Sequence, residues 1–95
     1  MSRELERQIE QVEHGEEISQ IIAGKRQLWI YSGPETVLNL IPQMRETMIP
    51  HLRNLLATDE FKNDKHYKHW NRADMKRYIK ELEKLLKEFE GYTGA

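Results

Sequence analysis

Residues 71–91 read NRADMKRYIKELEKLLKEFEG. Met75, Tyr78, Ile79, Leu82, Leu85, Leu86 and Phe89 return at the spacing that lines one face of an α-helix. Asn71 suits an N-cap, because its side-chain oxygen can accept an N–H that the first turn leaves unpaired. Asp74 stands three positions on, and Gly91 suits a stop. The opposite face is charged. There Glu83 and Lys87 form an acid-to-base pair at spacing four, worth about 0.3–0.5 kcal/mol. Such a seam must be buried against other helices, so the reading of the whole chain follows from it.

Immediately before and inside this helix the charge changes. Lys62–Lys80 holds seven of the fifteen Lys and Arg residues against only Asp64 and Asp74. That is +5 in a chain of net charge −1. His66, His69, Tyr67 and Trp70 are interleaved with the cations. A local excess of this size calls for an anionic partner or for an acidic surface of the same protein. The acidic surface exists: residues 1–24 carry Arg3 and Arg7 against six glutamates.

Upstream, Val37, Ile41, Met44, Met48, Leu52 and Leu55 form a second helical stripe over residues 34–57. Pro42 and Pro50 interrupt it. A proline in a helix interior removes a hydrogen bond and clashes with the preceding turn, at about 3 kcal/mol, so this segment is expected to be bent. Ser32 and Glu35 have capping-box spacing, and Pro34 suits a first turn. Residues 2–24 read as a helix through Leu5, Ile9, Val12, Ile18, Ile21 and Ile22, with a kink or break at Gly15 and a stop at Gly24. Between these helices, Gln27–Tyr31 is aromatic and β-branched and resembles a strand. A lone strand cannot pair its own backbone, so residues 25–33 are expected to be an extended connector, and residues 58–70 a basic connection.

The expected fold is therefore all-α: one domain over residues 1–95, a small bundle of three to four helices. Of the 95 residues, 38% are hydrophobic and 33% charged. Three amphipathic helices in so short a chain leave apolar area that one small core does not cover, so a homo-oligomer is expected. The absence of cysteine excludes disulfides, thiol nucleophiles and the common structural zinc sites. No apolar run approaches a membrane span, and the N-terminus is charged from its third residue. An intracellular, cytoplasmic location with no membrane contact is expected.

The chemistry-bearing motifs are few. Lys62, Lys65, Lys68 and Arg72 with Tyr67 and Trp70 combine phosphate-binding charge with base-stacking faces. If residues 64–70 are helical, Lys65, Lys68, His69 and Arg72 share a face. The competing reading packs Tyr67 and Trp70 into the core and turns the cations toward the acidic first helix. His66 and His69 stand at a spacing that can hold a metal, with Asp64 nearby, but no fourth ligand and no His-Glu-x-x-His pattern accompany them. No metal or cofactor is expected. Gly24-Lys25-Arg26 lacks the remaining glycine and hydroxyl of a phosphate loop. Glu16-Glu17 are neighbours that diverge on a helix, so no acid–base pair forms.

Two functions remain. The first is a non-enzymatic regulatory or adaptor protein that binds a protein partner, with Trp29, Tyr31, Tyr67 and Trp70 as anchors. The second is an anion-binding module holding a nucleotide or nucleic-acid backbone through residues 62–77, with Lys25 and Arg26 assisting.

Overall fold

The computed structural model describes the backbone of residues 2–92 and the side chains of residues 14–92. Helix α1 spans Ser2–Tyr31. A bent rod follows: α2 (Pro34–Gln43), a π-helical turn (Met44–Met48) and α3 (Ile49–Ala57). A 3₁₀ turn at Glu60–Asn63 opens the connection to α4, Arg72–Tyr92. The fold is all-α, with no strand among the described residues.

Cross-links define the packing. His14 of α1 meets Asp74 of α4, and Arg26 meets Glu88, so the two helices run parallel. Arg45 meets Glu90 and Arg53 meets Glu83, so the bent rod runs antiparallel to α4. The seam of α4 lies at the centre. Met75, Leu82 and Phe89 are fully buried, and Ile18, Met44 and Phe61 pack around them with no exposure.

The start of α4 is a reciprocal cap. Asp74 N–H donates to Asn71 Oδ1 at 2.8 Å, and Asn71 N–H donates to Asp74 Oδ2 at 3.1 Å. Each satisfies a donor that the first turn leaves orphaned. The helix passes through Gly91 to Tyr92, whose hydroxyl donates to Glu88 at 2.7 Å.

Residues 25–31 correct the expectation of an extended connector: they are the last turns of α1. Strand-like composition loses here to tertiary contacts. Trp29 lies edge-on to Phe89, with ring centroids 6.2 Å apart. Lys25 Nζ sits 5.5 Å from the Trp29 ring centre. Arg26 Nε donates to Glu88 at 2.6 Å. Gly24 is passed over without a stop. Gly15 also lies inside the continuous helix, where a Cβ would stand 2.9 Å from an Arg77 guanidinium nitrogen of α4. The glycine gives that side chain room.

Ser32 does not cap α2. Its N–H and its Oγ both donate to Leu28 O, closing α1 instead. Gly33 is the residue before α2, and its φ of 108° is a conformation that favours glycine.

The proline bend takes a specific form. Ahead of Pro50 the hydrogen bonds shift from four residues to five, with Ile49 N–H reaching Met44 O. The wider turn rotates the stripe by one residue. Ile49 is buried at 5% exposure where Met48 was expected, and Met48 packs at the edge of the core.

Candidate functional site

The basic connection is pinned from below. Phe61 and Trp70 enter the core, at 0% and 4% exposure. Trp70 packs on Tyr78 at 5.1 Å and on Tyr67 at 5.5 Å between ring centroids, and Tyr67 is half-buried. Burial raises the hydroxyl pKa of both tyrosines. Residues 64–70 form successive turns, not a helix, so Lys65, Lys68, His69 and Arg72 share no helix face. Trp70 is therefore a core residue and not an exposed stacking platform.

Two members of the segment are tied to structure. Arg72 donates to Leu56 O at 3.0 Å and to Asp59, holding the end of α3. His69 Nε2 meets Glu17 Oε1 at 2.9 Å, and its ring stands 6.0 Å from that of His14. His14 Nδ1 in turn meets the buried Asp74 at 2.8 Å. The competing reading holds for the inward packing of Trp70 and Tyr67, but among the described residues only His69 of the connection's basic side chains meets the acidic helix. His66 stays exposed, with its backbone N–H donating to Asp64 and its ring against Tyr67. Among the described residues no three His, Asp or Glu side chains group to hold a metal ion.

Glu17 carries an observable consequence. The hydrogen bond from His69 holds its carboxyl below the usual range, with smaller help from the charge of His14, against partial burial. Trp70 Nε1 has no acceptor at hydrogen-bonding distance. A depressed folded-state pKa means that this pairing stabilises the fold above the unfolded carboxylate pKa, near 4.3. The contribution is lost as pH falls through the lower folded value. Carbon-detected NMR titration is expected to show Glu17 ionising below the usual glutamate range, and His69→Ala is expected to return it to that range.

Lys62, Lys65 and Lys68 are exposed and make no ion pair among the described residues. The charge continues along α4. At about 100° per residue, Lys76, Lys80, Lys84 and Lys87 fall within an outer arc of about 80°. Of the acids beside it, Glu83 is tied to Arg53 and Glu90 to Arg45. Lys25 and Arg26 do not join this surface. They lie level with Glu88, about 21 Å along the bundle from Asp74.

The other end of the bundle has the opposite character. Five large hydrophobic side chains are exposed among the described residues: Leu28 64%, Ile30 38%, Tyr31 90%, Leu38 52% and Tyr92 57%. All belong to the elbow between α1 and α2 or to the end of α4 that reaches it. Ile30, Gly33, Pro34, Val37, Leu38 and Tyr92 line a shallow recess of about 360 Å³. Tyr31 was among the expected anchors. Trp29 turns inward, half-buried against Phe89. Leu28, Ile30, Leu38 and Tyr92 were missed, although the chain carries a signal for them. From Gln27 to Gln43 the only charged side chain is Glu35, in a protein that is 33% charged. Depletion of charge marks the centre of protein contact surfaces.

Comparison with protein-family models, curated proteins and solved structures finds no match. The functional reading rests on the two surfaces of this chain. No helix among the described residues is long and apolar enough to cross a membrane.

Proposed function

We propose that this protein is a non-enzymatic regulatory or adaptor protein that acts by protein–protein interaction, as a homo-oligomer. The supporting observation is the elbow, where the exposed large hydrophobic side chains among the described residues are concentrated, with Ile30, Leu38 and Tyr92 lining one recess. Leaving such a patch in water forfeits about 25 cal/mol per Å² of apolar area that a partner would bury. Exposed patches of this kind mark interaction sites.

A second reading, an anion-binding module, is favoured by the lysines. Lys62, Lys65 and Lys68 on the connection and Lys76 and Lys80 on α4 are exposed. This surface would bind a nucleic-acid backbone by charge, with affinity falling steeply as salt rises.

One experiment addresses both. A photoreactive phenylalanine derivative is placed at position 31 or at position 80, and the protein is irradiated in its host cell. Position 31 is expected to yield protein adducts. If a folded position-31 variant yields none, the first reading is wrong. Nucleic-acid adducts at position 80 that vanish at high salt would support the second reading.

A further inference from the structure

The elbow carries a projection beside a recess. Tyr31, 90% exposed, is the last residue of α1. Its chain neighbour Ile30 lines the recess, and so does Gly33, two residues on. A surface that holds both a knob and a hole fits its own copy. A two-fold axis places the knob of each copy at the hole of the other. Resting on the reading of the elbow as a protein-binding surface, we infer that the chain forms a two-fold dimer through it, Tyr31 of each copy entering the recess of the other.

Three further observations fit a second copy. A two-fold contact brings like residues together near its axis, so charges there repel their own copies. The elbow has only Glu35 between Gln27 and Gln43. Three hydroxyls of the elbow and its α4 neighbour are satisfied within their own chain. Ser32 Oγ donates to Leu28 O, Thr36 Oγ1 to Ser32 O, and Tyr92 Oη to Glu88. Closing an interface over these three leaves none of them stranded. The lysine-bearing outer face of α4 and the basic connection, by contrast, would repel their copies.

The test is sedimentation equilibrium of the full chain from micromolar to millimolar concentration. The wild-type mass is expected to rise from 11.4 kDa toward twice that value. Tyr31→Ala and Leu38→Ala, both at exposed positions, are each expected to weaken the dimer at least tenfold while circular dichroism stays unchanged. The chain has no cysteine, so a second measurement is clean. Tyr31→Cys mixed with Leu38→Cys should cross-link through a short bismaleimide, whereas Lys62→Cys mixed with Leu38→Cys should not. A wild type that stays monomeric at millimolar concentration overturns the inference. So does a dimer indifferent to both alanine variants. If the protein is monomeric yet position 31 still captures a different protein, the elbow stands as a protein-binding surface, and the self-contact falls together with the homo-oligomer.

Discussion

Phe61→Ala destabilises the fold by about 3–5 kcal/mol, the range for removing a fully buried phenylalanine. Phe61 has no exposure, although it lies in a four-residue 3₁₀ turn between charged neighbours. Its ring is the first point at which the connection after α3 is fastened to the core, and Trp70 is the last. Truncation removes apolar contact and leaves a cavity that a short turn between two helices cannot fill by collapsing. A chain of 95 residues has about 5–14 kcal/mol of stability in total, so the loss is a large part of the whole. Urea unfolding is expected to show a much lower midpoint with an unchanged slope. Lys62→Ala, next in the chain but exposed, should stay within about 0.5 kcal/mol of wild type. Equal midpoints for the two variants would mean that Phe61 does not anchor the connection.

Asp74→Ala is expected to cost about 2–4 kcal/mol. The carboxylate is 6% exposed and serves two partners, the Asn71 N–H of the cap and His14 on α1. Loss of a cap accounts for about 0.5–2 kcal/mol. A hydrogen bond to a charged group adds about 1.5–3 kcal/mol. The two are not independent, so the sum is an upper bound. Asp74→Asn keeps an oxygen for Asn71 and should cost less. In a double-mutant cycle with His14→Ala, a coupling above about 1 kcal/mol is expected. Additive effects would show that Asp74 acts on α4 alone and does not tie α1 to it.

The contrast between these residues explains what was legible from sequence. Asn71, Asp74 and the seam of α4 interact within one or two turns, so their spacing is enough to identify them. Phe61 gives no periodic signal, because its neighbours are turns and its partners are distant in the chain. Gln27–Tyr31 was misread for a related reason. Its helical state depends on Phe89 and Glu88, which lie about sixty residues away. Met48 was placed in the core because α-helical spacing was assumed through a segment where proline imposes a wider turn. The basic segment was legible as charge but not as topology. Cation count cannot reveal that Trp70 turns inward, or that His69 and Arg72 already have protein partners. The elbow is half-legible: Tyr31 stands out as an aromatic in a charged chain, whereas depletion of charge over Gln27–Gln43 leaves no periodic signal.

The turn at Met44–Met48 bears on how this protein can change in length. A π-helical turn holds one residue more than an α turn would, without expelling it as a loop. Removing one residue from 45–47 returns the segment to ordinary α spacing and keeps Ile49 on the inner side. The same deletion in the middle of α4 would rotate everything beyond it by about 100°, carrying Phe89 out of the core. The bent rod is thus the place where this bundle can lose a residue, and α4 is the ruler against which the rest is measured.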